Sequence, residues 1–272
     1  VKKLAREYLL ALQYFTRIPV TGPLAEWAGY GPISARASAA HLPGVGILIG
    51  MAACIAFAVT SLLLPDVAMT PLAAAIACTV ATVLLTGALH EDGLADLADG
   101  LGGSAERERA LEIMKDSRIG SFGTIALVLA FGLKVALLAV IAAQSPAGVL
   151  AALIAAHAVS RFWPLVVAAS MPYVGDAATS KSKPLVESLE QRAVHIGAAW
   201  CLLPLVLMVA AGRFGFMLVA VAASAAAFWW MRRLLQRRLQ GYTGDALGAV
   251  QQVAEIAFYL GAGVGIGIGG GR

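Results

Sequence analysis

Long apolar runs alternate with short charged stretches along almost the whole 272-residue chain. A helix needs roughly 20 apolar residues to cross the hydrocarbon core of a bilayer. Seven stretches come near or reach that length, at about 42–64, 70–89, 121–143, 147–171, 195–211, 213–231 and 246–268. The fifth and sixth are short and separated by little more than Gly212 and Arg213, which allows a tight hairpin or one broken unit. The runs are too long and too uniformly apolar for barrel strands, and only helices satisfy their own backbone in lipid. The pattern predicts an all-α fold, a polytopic membrane helix bundle of about seven transmembrane helices. One integral membrane domain covers 1–272, with an amphipathic cytoplasmic or interfacial segment over 1–41 and the bundle over 42–268.

Composition agrees: 60% of the residues are hydrophobic and 13% charged, against about 25% charged in soluble domains. Cys54, Cys78 and Cys201 lie in apolar stretches without C-x-x-C spacing, so neither disulfides nor a thiolate metal site is expected. The start, VKKLAREYLLALQYFTRIPV, is basic and interrupted by Arg6, Glu7 and Arg17, which suits a retained surface helix better than a signal peptide.

Charge then orients the bundle. Sixteen of the twenty Lys and Arg fall in the amino-terminal segment and in the connections after the second, fourth and sixth spans, Lys181 and Lys183 among them. The alternate connections hold only Arg213 and the terminal Arg272. The positive-inside rule therefore places the N-terminus and all four basic segments in the cytoplasm. The net charge of +4 follows from this asymmetry, and no nucleic-acid partner is implied.

Candidate chemistry sits at the mouths of spans, near 90–120 and 232–246. In HEDGLADLADGLGG (90–103), Asp92, Asp96 and Asp99 recur at i, i+4 and i+7, which puts three carboxylates on one helix face. Like charges on one stripe repel, and a divalent cation is the simplest compensation. Oxygen ligands without Cys or His favour Mg²⁺, Mn²⁺ or Ca²⁺. Glu91 lies about 100° off that face. In RERALEIMKDSRIGSFG (107–123), Ala110, Leu111 and Met114 form the apolar side of a short helix, and Lys115 and Arg118 flank Asp116, a grouping suited to phosphate. In QGYTGDALGAVQQVAEIAF (240–258), Thr243 or Asp245 suits a helix cap, while Gln252 and Glu255 carry polarity into the span. Glu255 has two potential partners in other spans, Lys134 and Arg161; Phe162-Trp163-Pro164 after Arg161 suggests a kink around a polar cavity. His41, His157 and His195 look isolated, and His90 is set apart by its place beside the acidic run.

Together H-x-D-G-L-A-D-x-x-D-G (90–100), L-E-I-M-K-D-S-R-I-G (111–120), T-G-D-x-L-G-A (243–249) and F-T-R-I-P-V (15–20) resemble the adenosylcobinamide-GDP ribazoletransferase, or cobalamin synthase, family. The matches run in the family's order across nearly the whole chain; Glu91 departs, standing where the family often has an apolar residue. The resemblance implies a bacterial inner-membrane enzyme with its active site facing the cytoplasm. It would transfer the cobinamide phosphate of adenosylcobinamide-GDP to α-ribazole or its 5′-phosphate, releasing GMP, with Mg²⁺ as cofactor. On that reading Asp92, Asp96 and Asp99 hold the metal, and Asp245 and His90 join them as catalytic residues. Lys115, Asp116, Arg118, Thr243, Arg17 and Arg161 contact phosphate or substrate. Gly44, Gly46 and Gly50 suit close helix contacts within a chain or a homo-oligomer, and other cobalamin-pathway enzymes are candidate partners for the basic loops. Two rivals are a CDP-alcohol phosphotransferase, whose Asp-rich motif has a different spacing, and a transporter, which the clustering of acids at one mouth disfavours.

Overall fold

The computed structural model describes residues 2–29, 36–175, 189–210 and 214–269, so Lys181, Lys183, Arg213 and Arg272 lie outside the described residues. Among these residues the regular elements are helical, with one isolated bridge between Tyr173 and Tyr242. Helices α1 (Lys2–Phe15) and α2 (Pro23–Ala28) precede a 3₁₀ turn at Ala39–His41. Then come α3 (Leu42–Leu63), α4 (Thr70–Thr86), α5 (Leu89–Gly103), α6 (Arg107–Ile113), α7 (Ser121–Gln144), α8 (Pro146–Ser170), α9 (Gln191–Ala210), α10 (Phe214–Arg238) and α11 (Gly244–Gly269). Six of them are long and apolar enough to cross a membrane, and the bent pair of α4 and α5 brings the number to as many as seven. Many outward side chains are apolar and exposed, Ile55, Leu84, Leu129, Val206 and Trp230 among them. An apolar exterior of this extent suits lipid rather than water.

The expected spans hold, with one correction. The second does not run to residue 89: its helix ends at Thr86, and the chain turns by 90° into α5. The turn is made by two consecutive left-handed residues, Gly87 at φ 67° and Ala88 at φ 60°. Glycine adopts that conformation freely, whereas alanine does so at a cost of about 1 kcal/mol. Ala88 N–H donates to the Val83 carbonyl, and Arg17 N–H donates to that of Leu85 at 2.7 Å. Carbonyls that α4 leaves open at its end are thus satisfied by the turn and by the F-T-R-I-P-V segment. The acidic helix α5 consequently leaves the axis of the crossing helix and runs along the mouth of the bundle.

Two arginines fix the far end of α5. Arg238, at the foot of α10, donates to the carbonyls of Leu101 and Ser104, while Arg107 donates through Nε to Leu239 O at 2.7 Å. Each cation meets the carbonyl-rich C-terminus of a helix, where the partial charge is negative. The predicted short helix forms as α6, with Ala110 and Met114 buried and Leu111 partly so. Pro164 lies inside a helix that continues from Pro146 to Ser170.

Candidate functional site

The acidic helix packs directly against the start of α11. A Cβ on Gly93 would stand 2.5 Å from the Asp245 carbonyl oxygen, and one on Gly248 would stand 3.2 Å from the His90 Cα. Only side chains reduced to hydrogen let these backbones approach so closely. The approach gathers Asp92, Asp96 and Asp245 into one electrostatic group. Asp96, half-buried on α5 outside the crossing helices, has its carboxyl pushed up to about 7, first by burial and then by the charges of Asp245, Asp92 and Asp99. Asp92 is exposed and Asp245 partly so, both at the rim of a recess of about 130 Å³. His90 also lines this recess, with its Nδ1 buried and without a hydrogen-bond partner.

The third member of the stripe, Asp99, also serves a second helix. Both oxygens of Asp99 accept backbone N–H bonds, from Gly120 at 2.7 Å and from Gly123 at 2.8 Å, at the N-terminus of α7. A buried carboxylate there satisfies orphan donors and meets the positive end of the helix dipole. Asp99 is therefore a helix cap supplied from another helix. Among the described residues no three acidic, His or Cys side chains form a ready cation-holding group. The donors that repel one another near the recess are Asp92, Asp96 and Asp245, all hard oxygens of the kind that suit Mg²⁺.

The expected phosphate-binding residues divide. Asp116 holds Arg118 through bonds of 2.6 Å and 3.0 Å to its guanidinium, and this cation pulls the Asp116 carboxyl down to about 2. Arg118, Asp116 and Arg109 line a second, polar cavity of about 280 Å³ on the Asp99 side of α5. Lys115 is exposed nearby in sequence. Arg17 is exposed and crosses Gly87 at the α4–α5 turn. Thr243 is buried and accepts a 3.1 Å bond from Ala246 N–H, so it caps α11.

Arg161 is not at an open site. It is 2% exposed, donates to His157 Nδ1 at 2.9 Å and lies 3.8 Å from Glu255. Lys134 stands 2.6 Å from Glu255, so both cations named as potential partners surround that carboxylate, Lys134 the closer. His157, which looked isolated in the sequence, is 3.4 Å from Glu255. Gln251 donates to Glu255 at 2.6 Å and to Ser160 at 2.9 Å; Gln252 links Gln251 to Glu91 with bonds of 3.0 Å. Glu91 thus faces the interior rather than the acidic stripe. The i, i+4 pair His157 and Arg161 was the sequence signal that could have found this cluster.

Residues 7–263 match the cobalamin-5-phosphate synthase family. The adenosylcobinamide-GDP ribazoletransferase of Polaromonas naphthalenivorans is 54% identical over 273 residues, covering 96% of this chain and 98% of the relative. The ribazoletransferase of Albidiferax ferrireducens is 51% identical over 275 residues, with the same coverage of each. That of Shewanella amazonensis is 40% identical and covers 93% of both chains. No solved structure matches significantly. With one family spanning nearly its full length, and close relatives aligned almost end to end, the chain belongs to the cobalamin-5-phosphate synthase family.

Proposed function

We infer that this chain is an adenosylcobinamide-GDP ribazoletransferase, joining the corrinoid phosphate to α-ribazole or its 5′-phosphate with release of GMP. The observation that carries the site is the convergence of Asp92, Asp96 and Asp245 beside an apolar recess, where α5 meets α11. We place the N-terminus and this mouth on the cytoplasmic side of a bacterial inner membrane, because the basic connections share that side.

Asp92, Asp96 and Asp245 would hold Mg²⁺; each Asp99 oxygen accepts one backbone N–H and keeps a second lone pair. When bound, the ion would neutralise non-bridging oxygens of the pyrophosphate. Arg118, steadied by Asp116, and Arg17 at the turn supply positive charge for the phosphates. The ribose hydroxyl of the ribazole attacks the phosphorus attached to the cobinamide arm. A new O–P bond forms, the O–P bond to GMP breaks, and the hydroxyl proton passes to His90 at the recess wall. This assigns the carboxylates to binding and the imidazole to proton transfer.

GMP release by purified protein in lipid, given adenosylcobinamide-GDP, α-ribazole phosphate and Mg²⁺, tests the reading. Asp96→Asn is expected to lower turnover by at least about 100-fold. Wild-type rates in that variant would remove the carboxylate assignment, and absence of release from folded wild type would remove the reaction. The phosphotransferase and transporter readings gain no support from the family match.

A further inference from the structure

The recess beside the acidic group has a chemistry that the transfer reaction alone does not explain. Apart from His90, Asp92 and Asp245, its lining is aliphatic or aromatic carbon and backbone. Small residues make the space: Ala39, Ala168 of α8, and Gly244 and Gly248 of α11. Phe15, the last residue of α1, supplies an aromatic wall, and the Pro164 ring and Leu165 supply another. Phe15 opens the F-T-R-I-P-V segment, so the residue two positions before Arg17 faces this recess.

We propose that this recess is the subsite for the benzimidazole base of α-ribazole, with Phe15 and Ala168 setting its shape. The assignment rests on the ribazoletransferase reading and adds which part of which substrate enters here. Three components compete for the space. The corrin macrocycle is rimmed with amides, which these aliphatic walls would leave unpaired. Guanine carries donors and acceptors around its edge, and burying them against Leu42, Leu165 and Leu247 would leave them unpaired, which is costly. A benzimidazole is flat, bicyclic and almost free of such groups, so apolar walls satisfy it. Its ribose would then stand at the polar rim, beside Asp92 and Asp245.

The test uses the full chain in lipid, with two readouts for wild type, Ala168→Phe and Phe15→Leu. The first is KM for α-ribazole phosphate and, separately, for adenosylcobinamide-GDP. Filling the recess with Ala168→Phe is expected to raise the ribazole KM by about tenfold or more, and Phe15→Leu by a few-fold. The corrinoid KM stays within about twofold of wild type. The second readout, independent of turnover, is the thermal shift produced by α-ribazole alone against that produced by guanosine. Wild type is stabilised by α-ribazole, and Ala168→Phe loses that shift while keeping any shift produced by guanosine. A guanosine shift lost in Ala168→Phe, an unchanged ribazole KM in both variants, or an equal rise in both KM values would overturn the subsite. Should Ala168→Phe fail to fold, Phe15→Leu decides by the same split. A ribazole shift in wild type without any GMP release would instead sink the reaction and leave the base subsite standing.

Discussion

Two regions of this molecule concentrate ionisable side chains, and they are built on opposite principles. Around Glu255 the charges are buried, of opposite sign and in contact: Lys134, Arg161 and His157 close on one carboxylate, with Gln251 and Tyr259 filling its remaining acceptor capacity. At the mouth, Asp92, Asp96 and Asp245 are of one sign and partly open; burial first, and then the neighbouring carboxylates, move the Asp96 carboxyl to about 7. The first region balances its central carboxylate with the chain's own cations, although His157 Nε2 and Arg161 Nε are buried there without a hydrogen-bond partner. The second gathers carboxylates with no cation among its own members, the arrangement on which the proposed Mg²⁺ site rests.

The comparison breaks most sharply at Glu255. Glu255→Leu would leave Lys134 and Arg161 buried beside a missing counter-ion, a loss of about 3–5 kcal/mol. Melting in detergent would measure it, and pairing the change with Lys134→Leu is expected to recover part of the loss. Equal melting of single variant and wild type would mean the cluster is not structural. Gly93→Ala comes next, since its Cβ meets backbone rather than a pliable side chain. We expect a cost of about 1–3 kcal/mol and up to about 100-fold slower GMP release from displaced carboxylates.

Asp99→Asn separates the two kinds of acid more finely. As a cap it is expected to cost about 1 kcal/mol of stability, leaving cation affinity unchanged; lost affinity would return Asp99 to the metal set. The smallest effect is in pH. Asp96 takes up its proton below about pH 7, so Mg²⁺ must displace that proton there, and cation affinity is expected to rise as pH climbs from 6 to 8. Because its folded pKa is raised, the metal-free protein loses stability as pH rises from the ordinary carboxylate range through about 7. Adding Mg²⁺ restores it, and Asp96→Asn flattens both curves.

The spans were legible because a membrane helix needs little beyond length and apolarity, and each of the seven runs corresponds to a helix. The break at Gly87 was hidden because the sequence stays apolar through Ala88 and Leu89. The acidic face was legible as periodicity, but the fate of its third member was not. Asp99 is claimed by amides more than 20 residues away, and no local pattern announces such a pairing. Arg161 was half legible: its pairing with Glu255 was among the expected ones, while its bond to His157 on the same helix was missed. Asp116 and Arg118 were easier, being two residues apart.

The closure of Glu255 by Lys134 has a consequence for how the chain is made. Lys134 belongs to α7 and its counter-ion to α11, roughly 120 residues later, which at ordinary rates of synthesis means about 6–24 seconds. Throughout that interval Lys134 on α7 lacks the Glu255 carboxylate that meets it in the folded bundle. Full burial of a charge in lipid is expensive, so α7 would be kept near the insertion machinery, or held shallow, until α11 is threaded. The arrival of α11 is then the step that permits these helices to settle into the bundle.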